Sequence, residues 1–240
     1  MKKLILALIF ALLPGVTWAA GGAQLDKAPV DLSDTASLQR GAKLFVNYCL
    51  SCHSAKFMRY KRMGEDLGLT EEQLTENLMF ATDKVGETMT TAMTAADAEK
   101  WFGIAAPDLS VIARARGADY LYTYFRTFYL DESRPFGVNN AVFPDTGMPH
   151  ALWELEGTKR AITETHDGET VITGYEQVTE GSMTPEEYDA AVADLVNFLV
   201  YLGEPAQLER QRLGVWVLLF IVLFTVLAYF LKREYWKDIH

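Results

Sequence analysis

The sequence predicts a mainly α-helical domain with one small β-hairpin, tied to a membrane by a single helix at its C-terminal end. Three observations predict this. Residues 213–231 contain no charged side chain. The segments after Thr70 and Thr184 carry helix-start signals ahead of spaced apolar residues. Thr alternates with Ile or Val on both sides of Asp167-Gly168, the pattern of a hairpin closed by a tight turn.

The two ends bound the domain. The chain opens Met1-Lys2-Lys3, runs apolar over residues 4–13, then passes Pro14-Gly15 to Ala19-Ala20. A basic start, an apolar middle and small residues at the end read as a secretory signal. The run is too short, and too broken by Pro14-Gly15, for a first membrane helix. Residues 213–231 lie between Arg212 and Lys232. At ~1.5 Å per residue they span roughly 28 Å, about the hydrocarbon thickness of a bilayer. A buried core helix would need a polar face, and Gly214, Thr225 and Tyr229 do not make one.

The expected organisation is therefore a signal peptide at 1–20, an exported domain at 21–208, a transmembrane anchor at 209–233 and a tail at 234–240 left inside. Lys232, Arg233 and Lys237 agree with the positive-inside bias, and Tyr235 with Trp236 suits the headgroup level. Arg210 and Arg212 on the outer side oppose that bias, so the signal sets the orientation. The formal charge is −10. Without Lys2 and Lys3, 20 basic residues face 32 acidic ones, or −12. Such a surface repels nucleic acid and attracts a basic partner, although solubility alone would also account for it.

The elements follow in order. Residues 38–48 read as a helix with Leu44 and Phe45 on its apolar side and Gly41 where another helix could come close. Residues 56–61 are basic and expected to be exposed. Thr70-Glu71-Glu72-Gln73 is a capping box, starting a helix that buries Leu74, Leu78 and Ala81. Residues 82–94 show no clear period, and 95–102 suit a short helix. Over 119–130, Tyr120, Tyr124 and Phe128 recur every four residues, as one helical stripe. Residues 137–149 are rich in Pro, Gly and Asn and read as a loop. Residues 160–165 and 169–175 form the hairpin arms. Thr184-Pro185-Glu186-Glu187 then starts a helix with Tyr188, Val192, Leu195, Leu199 and Leu202 on its apolar face, ended by Gly203 and Pro205.

The chemistry concentrates at Cys49-Leu50-Ser51-Cys52-His53. Two thiols at this spacing match the two vinyl groups of one haem, and the adjacent His reaches the iron. A thioredoxin-like dithiol does not need that His. A zinc site needs further Cys or a His pair, and His150, His166 and His240 are scattered. An electron carrier then wants a second axial ligand, and a thioether raises the potential. The methionines after the signal are Met58, Met63, Met79, Met89, Met93, Met148 and Met183. Most methionines only fill cores. Met148 stands apart because it lies in the rigid loop Phe143-Pro144-Asp145-Thr146-Gly147-Met148-Pro149. His150, Met89 and Met93 are its rivals.

With these residues in view, the chain resembles the cytochrome c1 family. The resemblance rests on Arg40-Gly41, residues 47–54, Ala106-Pro107-Asp108-Leu109-Ser110, Arg114-Ala115-Arg116, Gly147-Met148-Pro149 and a lone anchor ending in Lys232-Arg233. It covers nearly the whole chain beyond the signal. Only residues 70–102 and the hairpin near Asp167-Gly168 find no residue-by-residue match. The resemblance implies a class I cytochrome c-like haem domain in which the hairpin is an insertion. It implies one haem c bound through Cys49 and Cys52, with His53 and Met148 on the iron. Pro107 would lie against the haem face, Arg116 would pair with a propionate, and Tyr120 would hydrogen-bond nearby.

The implied role is an electron-transfer subunit of the quinol–cytochrome c oxidoreductase of a bacterial inner membrane, not catalytic alone. Its haem domain would stand in the periplasm. Its partners would be cytochrome b and the Rieske iron–sulfur subunit, with a periplasmic cytochrome c as acceptor, in a dimeric complex. Glu65, Asp66, Glu71, Glu72 and Glu76 could form an acidic docking patch, or merely a solvated face. The alternatives are a stand-alone anchored c-type cytochrome or the haem subunit of a terminal oxidase, neither of which needs Arg114-Ala115-Arg116 beside Pro107-Asp108. A haem enzyme such as a peroxidase would need an open sixth position.

Overall fold

The computed structural model describes residues 24–166 and 169–237. The expected signal segment and the Asp167-Gly168 turn lie outside the described residues. The architecture is mainly helical, with three separate two-stranded antiparallel pairs among the described residues.

Two helices form its spine. Helix α1 (Thr35–Leu44) starts at Asp34, whose carboxylate accepts from the Ser37 N–H, and runs directly into a π-helical turn, Phe45–Cys49. It packs against the long helix Pro185–Gly203, which opens with the expected capping box at Thr184 and Glu187. Gly41 is the point of closest approach. A β-carbon there would stand 2.1 Å from the Asp194 carbonyl oxygen and 2.7 Å from Phe198 Cβ. Phe45 and Phe198 stack tilted at 5.6 Å just below. Arg40 grips both carboxylate oxygens of Asp194 at 2.6 and 2.9 Å. Asn197, buried between the two helices, donates to Ser37 Oγ and to the Asp31 carbonyl.

Around the spine lie short elements. Strand β1 (Ala55–Arg59) pairs with β2 (Thr88–Met89). Residues 56–61 are thus not wholly exposed: Met58 and Tyr60 are buried while Lys56 and Phe57 point outward. Helix α2 (Tyr60–Asp66) follows β1 directly. Helix α3 (Glu71–Leu78) has the expected box at Thr70 and Gln73, and buries Leu74 and Leu78. It stops at Met79, whose backbone is extended, so Ala81 falls outside the helix and is exposed. Helix α4 (Ala95–Phe102) matches the reading of 95–102.

The aromatic stripe behaves differently from the expectation. It begins as a helix, α6 (Ala118–Phe125), preceded by the short α5 (Ile112–Arg116). The helix then breaks, and Phe128–Leu130 pairs as β3 with β4 (Val138–Asn140). The cause is a long-range capture. Asn140 Nδ2 donates to the Tyr124 carbonyl at 2.7 Å and Tyr188 Oη to the Phe125 carbonyl at 2.8 Å, taking two oxygens that a further turn would have needed. Phe128 nevertheless keeps an edge contact with Tyr124 at 5.1 Å. Part of the expected loop 137–149 is therefore strand.

After α7 (Trp153–Glu156), strands β5 (Gly157–His166) and β6 (Glu169–Glu180) pair over a longer stretch than the sequence pattern marked. Helix α8 is the spine helix Pro185–Gly203, and α9 (Gln207–Tyr235) is the last element. Among the described residues α9 is the one helix long and apolar enough to cross a membrane, and none of its residues is buried.

Candidate haem site

The Cys-x-x-Cys-His segment is set by the turn before it. In the π-helical turn the Leu50 N–H reaches back five residues to the Phe45 carbonyl at 3.0 Å. The Cys52 and His53 N–H groups then both donate to the Cys49 carbonyl, at 3.1 and 2.8 Å. Both cysteines are free thiols, Cys49 buried and Cys52 half-buried. Burial, with the neighbouring Cys52 second, pushes the Cys49 thiol up to about 12.

His53 is oriented from behind. Its Nδ1 lies 2.8 Å from the Pro107 carbonyl oxygen, which can only accept, so Nδ1 carries the proton and donates. Nε2 is left with a lone pair. Burial lowers the imidazole's pKa, against smaller opposing effects of the Pro107 carbonyl and Asp108, and so favours the neutral ring. An imidazole with one nitrogen tied to a carbonyl and the other free is the form that ligates a metal.

The Pro-Asp-Leu-Ser segment is docked onto the residues after His53. Leu109 N–H donates to the Ser54 carbonyl at 2.7 Å. Asp108 accepts from the Lys56 N–H at 3.0 Å, and Ser110 Oγ from the Phe57 N–H at 3.1 Å. Thr91 adds bonds to Ser54 Oγ and the Ser51 carbonyl. Pro107 is exposed and acts here through its carbonyl.

Met148 is held in its own loop. Its sulfur lies 3.5 Å from Tyr124 Oη, and its N–H donates to Thr146 Oγ1 at 3.3 Å. Asp145, at φ 62°, turns the loop. Arg134 secures that turn through the Asp145 carbonyl and carboxylate. A β-carbon at Gly147 would touch Ile104 at 3.6 Å, so the Met148 loop leans on the chain three residues ahead of Pro107. Arg116 is exposed, its guanidinium 5.5 Å from the Tyr120 ring and 5.9 Å from Phe143. Tyr120 stacks on Tyr124 at 6.2 Å. Arg116, Tyr120, Tyr124 and Met148 thus form one run of contacts, and His53 with Pro107 forms another. Arg114, by contrast, turns away to Glu204 at 3.6 Å and packs on Gly203.

The rivals of Met148 separate. Met58, Met63, Met79 and Met89 are buried in the core. Met183 packs near the hairpin base, its N–H on the Leu155 carbonyl. His150 is committed elsewhere: it stacks on Phe128 at 4.8 Å and faces Glu156, its Nε2 2.8 Å from Oε2 though angled poorly for a hydrogen bond. Met93 borders a small cavity with Cys52 and Ser54, on the cysteine side. The acidic patch is also thinned. Asp66 is held by Arg62 and accepts from Tyr201, and Glu65 lies 4.0 Å from Lys61.

Residues that fit a c-type haem are therefore present: two free thiols, a neutral oriented imidazole, a thioether in a fixed loop, and apolar side chains at Ile104, Phe136 and Phe143. Among the described residues, no group of three or more His, Cys, Asp or Glu could hold a metal ion by itself. The residue that sequence reasoning assigned no part in the site is Tyr124. Its signal was present, because it stands four residues after Tyr120.

A family model for the Cytochrome C1 family matches residues 26–239. The chain is 52% identical over 244 residues to a cytochrome c1 of Allochromatium vinosum, covering 100% of both chains. It is 50% identical over 241 residues to a protein of Nitrosomonas europaea named ammonia monooxygenase gamma subunit, covering 100% of this chain and 99% of that one. A cytochrome c1 of Rhodospirillum rubrum is 26% identical over 239 residues, covering 86% of this chain and 83% of that one. The match spans both cysteines, His53, the Pro-Asp-Leu-Ser segment, Met148 and the last helix. This chain belongs to the cytochrome c1 family, the haem-bearing electron-transfer subunits of the cytochrome bc1 complex.

Proposed function

We propose that this chain would hold one haem c through thioether bonds from Cys49 and Cys52, with His53 and Met148 supplying the ligands to its iron, in a class I cytochrome c-like domain. When bound, that group supplies a one-electron couple, accepting from a Rieske iron–sulfur protein and delivering to a periplasmic cytochrome c. The carrying observation is the His53 Nδ1 bond to the Pro107 carbonyl, which fixes the tautomer and leaves the other nitrogen with a lone pair for a metal.

The other residues act around that bond. Pro-Asp-Leu-Ser holds the Pro107 carbonyl in place by docking on residues 54–57. The Met148 loop presents a sulfur, which favours the reduced state over a nitrogen ligand. Arg116, exposed at the rim beside Phe143, suits a propionate carboxylate. Helix α9 anchors the domain, with residues 21–208 in the periplasm, residues 234–240 inside and residues 1–20 removed as a signal. Cytochrome b and the Rieske subunit are its partners in a dimeric complex.

The test is a redox titration and visible spectrum of the detergent-extracted complex. The wild type should show a c-type band reduced by quinol, together with b-type haem. Met148→Ala should lower the potential by a substantial share of the ~0.8 V range that axial ligands command, and should stop quinol-linked electron flow. An unchanged potential removes Met148 as ligand. A c-type band that quinol never reduces points instead to an independent anchored cytochrome.

A further inference from the structure

The hydroxyl of Tyr124 reaches the sulfur of Met148 and the hydroxyl of Thr146 in the same loop. Three contacts close a small ring. Met148 N–H donates to Thr146 Oγ1 at 3.3 Å. Thr146 Oγ1 and Tyr124 Oη lie 3.1 Å apart, and either could donate. Tyr124 Oη lies 3.5 Å from Met148 Sδ. Both Tyr124 and Thr146 are buried.

Counting protons singles out one direction that uses every donor. Each hydroxyl has one proton and two lone pairs. Thr146 already accepts from Met148, and its own proton can go to Tyr124 Oη. The tyrosine proton then has the sulfur as its acceptor, and a sulfur cannot donate in return. Every donor in the ring is used once. Bonds linked in this way polarise one another, which strengthens the last one to sulfur.

We propose that Tyr124 is a positioning residue that sets the donor strength of Met148 by hydrogen-bonding its sulfur, with Thr146 orienting the hydroxyl. This rests on the reading of Met148 as axial ligand. A thioether has two lone pairs. With one on the iron, the other accepts from Tyr124, and the bond draws electron density from the sulfur. A weaker donor favours the reduced iron, so the tyrosine raises the potential.

The experiment uses the whole complex in detergent. The potential of the c haem and the sulfur-to-iron charge-transfer band of its oxidised form are recorded for the wild type, Tyr124→Phe and Thr146→Val. Tyr124→Phe removes one oxygen and should keep the band, while its potential shifts downward. Thr146→Val should shift the potential the same way by less, and it decides the matter alone if Tyr124→Phe does not assemble. An intact band with an unshifted potential in the variants overturns the role of Tyr124 while leaving Met148 as ligand. A wild type without the band overturns the Met148 reading and the role of Tyr124 with it. A merely structural tyrosine would alter thermal stability and leave the potential where it was.

Discussion

Gly41 lies against the Asp194 carbonyl so closely that any β-carbon at residue 41 would sit 2.1 Å from that oxygen. The neighbour is backbone, so it cannot swing aside. Gly41→Ala must push α1 off α8, and the π-helical turn leading to Cys49 moves with it. Overpacking of this kind costs about 1–3 kcal/mol. Thermal or denaturant unfolding should show that loss, together with a reduced yield of haem-loaded protein. Full stability in Gly41→Ala would mean that the two helices slide freely, contrary to their packing.

Lys159 is buried, with its ammonium on the Glu156 carboxylate and the Arg126 carbonyl. Glu156→Ala would leave a buried cation without its counter-charge. Losing one partner of such a pair costs about 3–5 kcal/mol. The melting temperature should drop clearly, and Glu156→Gln should recover part of it. His150 would also lose its neighbour, which makes the loop from Met148 to Leu152 the first region to exchange its amide protons.

Asp108 titrates below the ordinary carboxylate range. Burial acts to raise it, but the bonds from Ser110 and the Lys56 N–H together outweigh burial. A depressed folded pKa means stability that is complete above the unfolded value near 3.9 and is lost as pH falls through the folded one. Acid should therefore loosen Pro-Asp-Leu-Ser from β1, and Asp108→Asn should already be weakened at neutral pH. Stability profiles against pH for the two proteins should converge in acid.

The two thiols should differ in reactivity before haem is attached. Burial holds the Cys49 thiol protonated, while Cys52 is half-buried. Thiolates, not thiols, are the nucleophiles. Brief alkylation of the unloaded chain, followed by mass spectrometry, should label Cys52 first. If both thiols carry the haem as proposed, neither should react in the loaded chain. Equal labelling of the two in the unloaded chain would contradict the buried turn.

Much of this was legible from local pattern. Capping boxes at Thr70 and Thr184 announce their helices because the side chain that caps is three residues from the N–H that it satisfies. Gly41 and Cys49-x-x-Cys52-His53 were legible for the same reason, since spacing alone carries the information. What was not legible came from residues far apart in sequence. The helix over 119–130 stops at Phe125 because Asn140 and Tyr188 take its last carbonyls, and a four-residue stripe cannot reveal that. His150 reads in sequence as a rival ligand to Met148, and its contacts with Glu156 and Phe128 lie six and 22 positions away. The contact between Pro107 and His53 spans 54 positions, so its physical reason appears only in three dimensions.

The join between α8 and α9 has a consequence for movement. The first ends at Gly203 and the second begins at Gln207, with Glu204 of the connection gripping Arg210. Three connecting residues reach no more than about 11 Å even when stretched. A domain moored on so short a line stays within about 11 Å of the helix that holds it. The tether therefore keeps the rest of the chain close to the height at which that helix ends.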